Sequence, residues 1–141
     1  CTGGLLAAAC TALPGSSDWF ERGFVTYSNA AKTEMLGVEA SLIETDGAVS
    51  AAVACAMADG ALAHSRATCA VAVTGIAGPG GATPGKAVGT VWLALADRGT
   101  AARAELLQLD GDRASIREQT VPHALQRMLE SFQDGKRFES A

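Results

Sequence analysis

The 141-residue sequence has few of the residues from which metal, disulfide and nucleic-acid sites are built. Its four cysteines, Cys1, Cys10, Cys55 and Cys69, show no CxxC spacing, and with only two histidines no zinc-binding pattern can be written. Eleven Lys and Arg against fifteen Asp and Glu give a net charge of -4, without the basic stripe that binds nucleic acids. No apolar run approaches the roughly 18 residues of a membrane-spanning helix. We therefore expect no metal, no nucleic-acid or membrane partner, and reduced thiols in a cytoplasmic protein.

The sequence does contain enough apolar residues for one packed core, with 48% hydrophobic and 18% charged, and its length fits a single domain at 1–141. Ser28 or Asn29, Ser50 and Asp112 are good N-caps. The predicted elements are a helix at 5–13, a strand at 19–28, a helix at 30–36, a helix at 51–65, a strand at 69–74, an antiparallel hairpin of 88–96 and 102–109, and a helix capped by Asp112 with a fraying polar tail at 134–141. This order predicts an α/β fold, a three-layer α/β/α sandwich with a mixed β-sheet.

Three local features are candidates for a functional site, and the first is the start of the first helix. Cys1, Thr2, Gly3 and Gly4 leave main-chain N–H groups unobstructed at the positive end of that helix. Such groups suit an oxyanion or a phosphate. An ordinary tight turn into a helix explains the same residues.

The second candidate is the pair of Tyr27, at the end of a predicted strand, and Lys32, in the first turn of the next helix. Their side chains can converge across the Ser28-Asn29 turn. A lysine ammonium within hydrogen-bond reach would stabilise a tyrosinate, which can take a proton from an alcohol nucleophile. The alternative is an edge tyrosine beside a solvated lysine.

The third candidate is the glycine-rich loop at 75–85, which follows a predicted buried strand ending at Thr74. The carboxyl ends of strands are where α/β proteins place ligand contacts. The loop matches neither the Rossmann nor the P-loop pattern, and a plain surface loop is an equal alternative. His64 and His123 have no partners at motif spacing, so a histidine-based triad is not expected.

Several strings, in order along nearly the whole chain, resemble the CinA C-terminal domain family of competence/damage-inducible proteins. They are Cys-Thr-Gly-Gly at 1–4, Pro-Gly-Ser-Ser at 14–17, Trp-Phe-Glu-Arg-Gly-Phe-Val-Thr-Tyr-Ser-Asn at 19–29, Gly-Ala-Val-Ser at 47–50, Thr-Gly-Ile-Ala-Gly-Pro at 74–79 and Val-Gly-Thr-Val-Trp at 88–92. The strings at 24–29 and 75–79 are highly specific.

This resemblance implies an amidohydrolase that converts nicotinamide mononucleotide to nicotinic acid mononucleotide and ammonia, with no cofactor or metal. The serine nucleophile of the family lies immediately before the cysteine that is Cys1 here, so it is not in this sequence, and a helix and a core strand are expected ahead of it. The catalytic tyrosine and lysine map onto Tyr27 and Lys32. A homodimer is implied, and the residues expected at the oxyanion and the substrate are Cys1, Thr2, Gly3, Gly4, Asn29, Thr74, Gly75 and Gly78, with the phosphate on 75–78.

Two other hypotheses stay open at this point. The domain could be a non-catalytic regulatory module that binds a nucleotide or a protein partner in the competence or DNA-damage response. Alternatively, Cys1 could be an N-terminal nucleophile whose own amine acts as the base.

Overall fold

The computed structural model describes the backbone of residues 1–139 and the side chains of residues 1–135. Short helices precede a sheet, and one long helix follows it. In chain order the elements are α1 (Leu5–Thr11), a single 3₁₀ turn (Ser16–Asp18), α2 (Asn29–Leu36), α3 (Ala40–Asp46), α4 (Ala51–Ala63), β1 (Cys69–Gly75), β2 (Thr90–Asp97), β3 (Arg103–Gln108) and α5 (Arg113–Glu139).

Three helices begin at the polar caps that the sequence predicts. The side chains of Ser28, Ser50 and Asp112 accept the main-chain N–H three residues further on, at 3.0, 3.3 and 2.9 Å. Each bond satisfies a donor that has no partner within the helix. Gly37 then ends α2 in a left-handed conformation with φ 69°. The predicted bounds of α2 and α4 are therefore confirmed to within two residues.

The sheet has the order β1-β2-β3, and both neighbouring pairs are antiparallel. Val73 lies opposite Leu93, and Trp92 lies opposite Leu106. The predicted hairpin of β2 and β3 is thus confirmed. No parallel pair occurs among the described strands, so only the antiparallel part of the predicted mixed sheet is seen there.

Helices cover both faces of the sheet, which confirms the three-layer α/β/α arrangement. Val91, Leu93 and Leu95 alternate along β2 and face the core shared with α5. Ala94 and Ala96 face the other way, toward α4. The buried side chains of that second core are Leu36, Val38, Ile43, Val53, Ala54, Met57, Ala58, Leu62, Ala72, Ala94 and Ala96. Small residues on both sides let α4 lie close against the sheet.

The prediction of a strand at 19–28 is wrong. Residues 20–27 belong to no helix or strand, and within the described chain residues 21–27 make no main-chain to main-chain hydrogen bond. The β-branched and aromatic residues of this segment favour an extended backbone, but a strand also needs a neighbouring strand to pair with. No described strand lies at its side.

Two further differences concern helices. The sequence signal for α3 was missed because Glu39 makes no side-chain cap and Ile43 is the only buried residue among the seven of this helix. The fraying predicted from 134 onward is not seen as far as Glu139, where the backbone is still helical, and residues 140 and 141 lie outside the described residues. Over the described part of the chain, no helix has both the length and the apolar character needed to cross a membrane.

A close contact between α4 and the end of α2 fixes the position of α2. Gly60 is buried in α4, and a Cβ atom at this position would lie 2.1 Å from the carbonyl oxygen of Leu36. Real Cβ atoms do not approach a main-chain oxygen that closely, so only glycine allows this crossing. Because α2 also carries Lys32, the contact sets the depth of that lysine in the molecule.

We predict that Gly60→Ala lowers the free energy of unfolding by about 2 kcal/mol, since overpacking outweighs the helix propensity gained by alanine. The matched control is Gly135→Ala in α5, where a Cβ atom meets nothing within 4 Å. That control is expected to raise the stability by up to about 1 kcal/mol. Urea unfolding midpoints measure both effects. A Gly60→Ala protein as stable as the parent would show that the helices can separate without cost.

Candidate active site

Lys32 is a buried lysine held by main-chain carbonyl groups. Its side chain is 6% exposed, and its Nζ donates to the carbonyl oxygen of Thr26 at 2.9 Å and, more weakly, to that of Tyr27 at 3.5 Å. None of the ion pairs in the described part of the chain involves Lys32. Burial lowers the pKa of Lys32 below the ordinary value of a lysine. A buried lysine with no carboxylate partner is a candidate for catalysis rather than for stability.

Tyr27 does not make the predicted contact with the Lys32 ammonium. Its side chain is 68% exposed, and its phenol oxygen accepts a hydrogen bond from Nη2 of Arg113 at 3.2 Å. The lysine reaches the main-chain carbonyl of Tyr27, because that carbonyl points inward while the phenol points outward. The predicted phenol–ammonium hydrogen bond is therefore wrong, and an arginine takes its place.

The turn at Cys1–Gly4 packs against the first turns of α5. Gly3 and Gly4 both have positive φ angles, 60° and 98°, and Gly4 is the N-cap of α1. Nε of Arg117 donates to the carbonyl oxygen of Cys1 at 3.2 Å, and its Nη2 donates to that of Thr2 at 3.4 Å. The long helix α5 thus holds the turn with which the sequence begins.

Three cationic side chains converge on this turn. Lys32, Arg113 and Arg117 all lie close enough to the main-chain nitrogen of Cys1 for their charges to act on it. Among the described side chains, no three His, Cys, Asp or Glu residues lie close enough together to hold a metal ion. The cluster of Lys32, Arg113 and Arg117, which we call the cationic cluster, suits an anionic ligand.

Gly75 and Gly78, from the glycine-rich loop, reach the same place. Gly75 ends β1, and a Cβ atom there would lie 3.2 Å from Sγ of Cys1. Gly78 is buried, and its carbonyl oxygen accepts a hydrogen bond from Nη1 of Arg113 at 2.8 Å. The predicted meeting of the helix start, the Tyr27 segment and the loop is therefore present in the structure.

Thr74 and Asn29, which were predicted to contact the oxyanion or the substrate, make no hydrogen bond to the cationic cluster among the described residues. The hydroxyl of Thr74 donates to the carbonyl oxygen of Ala48 at 2.8 Å, which ties β1 to the residues that precede α4. Asn29 is the exposed first residue of α2, and within the described residues its side chain makes no hydrogen bond. Neither side chain contacts the cationic cluster through a hydrogen bond in this part of the chain.

Sequence reasoning missed Arg113 and Arg117. They lie more than 80 residues from Tyr27, so no local spacing relates them to it. The available signal was their separation by four residues, which places both on one face of a helix just after a predicted N-cap. Two cations on the first turns of a helix are unusual, since the helix dipole disfavours positive charge there.

The fold and these side chains define a three-layer α/β domain with a cluster of basic side chains, the candidate site, at the carboxyl end of β1. The family model of the CinA C-terminal domain matches residues 1–132. The chain therefore belongs to the CinA C-terminal domain family.

Named relatives and a solved structure agree with this assignment. Nicotinamide-nucleotide amidohydrolase PncC of Pseudomonas putida is 55% identical over 130 residues, which cover 92% of this chain and 81% of that protein. A CinA-like protein of Akkermansia muciniphila is 53% identical over 93% of this chain, but the chain spans only 32% of that longer protein. The crystal structure of a competence/damage inducible protein from Agrobacterium tumefaciens matches with a TM-score of 0.89 and 50% identity, over 92% of this chain and 79% of that chain.

We predict that Lys32 titrates below the ordinary lysine pKa, since the folded state disfavours its charged form. The measurement is the Cε chemical shift of each lysine, followed by NMR from pH 7 to pH 12. The spectrum of Lys32→Met identifies the resonance. A midpoint for Lys32 at or above that of a lysine in an unstructured peptide would contradict the burial that the structure describes.

Proposed function

We propose that this domain hydrolyses the carboxamide of nicotinamide mononucleotide to give nicotinic acid mononucleotide and ammonia. The single observation that carries this proposal is the burial of Lys32 beside the Cys1–Gly4 turn without an ion-pair partner among the described residues. The 55% identity to an enzyme named nicotinamide-nucleotide amidohydrolase supports the choice of substrate.

We place the nucleophile, a serine, on the residue joined to the nitrogen of Cys1, as the family resemblance implies. Lys32, Arg113 and Arg117 all lie near this nitrogen, and of the three charges that of Lys32 has the largest effect on it. A hydroxyl one residue away would therefore lie close to a lysine of lowered pKa. In the described chain, residues 21–27 and the outer edge of β1 have main-chain groups without main-chain partners, with which a strand leading to this serine would pair.

Lys32 is the proton acceptor in this mechanism. A neutral lysine has two N–H donors, which the carbonyl oxygens of Thr26 and Tyr27 can occupy, and one lone pair that remains free. Burial increases the neutral fraction at a given pH. The amine therefore replaces the phenol in the role that the sequence suggested, and Tyr27 contacts the substrate from the open side of the site, where Arg113 holds it.

The reaction then proceeds in two halves. The serine oxygen bonds to the carboxamide carbon while its proton moves to Lys32, and the carbonyl oxygen becomes an oxyanion. When this intermediate collapses, the carbon–nitrogen bond breaks, and the leaving nitrogen takes the proton from Lys32 and departs as ammonia. Water then attacks the acyl-enzyme while its proton moves to Lys32. When the carbon–oxygen bond to serine breaks, Lys32 passes this proton to the serine oxygen, and the acid is released.

Arg113 is the residue we assign to the phosphate. Two of its N–H groups bond to Gly78 and Tyr27, which leaves three of its five donors for a ligand. A guanidinium can bind phosphate through two parallel hydrogen bonds. The carbonyl of Gly78 fixes the arginine at the edge of the glycine-rich loop, close to the predicted phosphate position on 75–78.

We predict that Lys32→Met lowers the rate of ammonia release from nicotinamide mononucleotide by about 100- to 10,000-fold, the usual contribution of a general base. The far-ultraviolet circular dichroism is expected to stay unchanged. The matched control is Lys86→Met, because Lys86 also donates to a main-chain carbonyl, that of Asp46 at 2.9 Å, but at an exposed position. Ammonia is measured enzymatically, and the acid product by mass spectrometry.

Two outcomes would oppose this assignment. Parent-like turnover in Lys32→Met would refute the role of the lysine. A parent protein that binds the mononucleotide but releases no ammonia would refute the hydrolase function and favour the non-catalytic regulatory module.

We predict that Arg113→Met raises the KM for nicotinamide mononucleotide by about 10- to 100-fold, the effect of losing hydrogen bonds to a charged group. The KM for nicotinamide riboside, which has no phosphate, is expected to change much less. Steady-state ammonia release with both substrates measures this difference. Equal effects on the two substrates would mean that Arg113 does not contact the phosphate.

A further inference from the structure

Arg117 makes an unusual pair of contacts that the proposed mechanism leaves unused. It is half-buried in the second turn of α5, and its guanidinium bonds the carbonyl oxygens of two consecutive residues, Cys1 and Thr2. Nη2 would lie 3.7 Å from a Cβ atom at Gly3, so the guanidinium also packs against Gly3. Arg117 has no ion-pair partner among the described residues.

These contacts set the direction of two N–H groups. In a planar trans peptide the C=O and N–H bonds point in opposite directions. Because Arg117 holds the carbonyl of Cys1, the N–H of Thr2 points to the other side of the turn, and the carbonyl of Thr2 orients the N–H of Gly3 in the same way. In the described chain neither N–H takes part in a hydrogen bond. Both precede the N-cap Gly4, so they belong to the turn and not to α1.

A turn of this composition needs such a clamp. Gly3 and Gly4 both occupy left-handed conformations, and glycine passes between positive and negative φ at little cost. A peptide between Thr2 and Gly3 that rotated would present a carbonyl oxygen where an N–H had been, and an oxyanion would be repelled. The N–H of Leu5 also donates to the carbonyl oxygen of Thr2, at 3.2 Å, whereas Arg117 is the only donor to the carbonyl oxygen of Cys1 among the described residues. The guanidinium therefore opposes rotation of both peptides and is the sole restraint of this kind on the peptide between Cys1 and Thr2.

We propose that Arg117 is a positioning residue, which orients the N–H groups of Thr2 and Gly3 to receive the oxyanion that forms when the serine attacks the carboxamide. This role rests on the proposed function. The oxyanion takes the electron pair of the carbonyl bond as the serine–carbon bond forms, and it returns that pair when ammonia leaves. Arg117 itself contacts neither the substrate nor the reacting atoms.

The test compares Arg117→Met, Arg117→Lys and Arg98→Met in the full-length protein that includes the residues ahead of Cys1. Arg98 is the matched control, because its guanidinium also bonds main-chain carbonyls, those of Leu62, Ser65 and Ala67, but at the end of α4 away from the site. Each variant is assayed with nicotinamide mononucleotide well below its own unfolding temperature.

Arg117→Met is expected to lower kcat about 100-fold, as loss of an oxyanion donor does, with KM within twofold of the parent. Arg117→Lys is expected to recover part of the loss, because one ammonium reaches one carbonyl. Arg98→Met is expected to lower Tm and to leave kcat unchanged. A kcat for Arg117→Met within twofold of the parent, or a loss confined to KM, would overturn the positioning role.

A crystal structure of Arg117→Met separates this role from the proposed function. A rotated peptide between Cys1 and Thr2, or between Thr2 and Gly3, would support the clamp, and two unchanged peptides would overturn it at any level of turnover. If the parent protein releases no ammonia, the proposed function and the oxyanion role fail together. If the parent is active and Arg117→Met matches it, only the role of Arg117 fails.

Discussion

The hydrogen bonds from Lys32 to the carbonyl oxygens of Thr26 and Tyr27 are the interaction on which the candidate site depends. A buried ammonium without a carboxylate is costly, and main-chain carbonyls offset only part of that cost. Burial therefore lowers the pKa of the lysine. The same bonds also hold the irregular segment that ends at Tyr27 against α2. One side chain thus both shapes the site and provides its proposed base.

Small residues place this lysine at the required depth. Gly60 brings α4 into contact with the last carbonyl of α2, and the alanines of α4 face Ala94 and Ala96 on the sheet. A side chain at position 60 would push α2 away from α4 and so change the depth of Lys32. The low aromatic content of the chain, 5%, fits this arrangement, since close helix–sheet packing requires small side chains. The packing of α4 against α2 therefore helps to position the lysine that is proposed as the base.

Features with local causes could be predicted from the sequence, and those that depend on distant neighbours could not. The caps at Ser28 and Asp112 act over three residues, so reading the sequence located them. The segment at 19–28 has strand-forming residues, but whether it pairs depends on a neighbouring strand that no local pattern reveals. Spacing also placed Lys32 near Tyr27, yet it could not say whether the ammonium meets the phenol or the carbonyl. The contact of Arg113 with Tyr27 joins residues 86 positions apart and gave no signal at all.

The basic side chains of the candidate site share a mode of attachment that suits an anionic ligand. Lys32 is held by the carbonyls of Thr26 and Tyr27, and Arg113 and Arg117 by those of three other residues, Gly78, Cys1 and Thr2. Carbonyl oxygens fix the position of a cation without cancelling its charge, whereas a carboxylate would do both. Arg113 and Arg117 therefore keep their positive charge in the folded protein, while burial favours the neutral form of Lys32 that the proposed mechanism requires. In that proposed reaction the arginine charges would attract the phosphate of the substrate on binding and stabilise the oxyanion that develops in the transition state.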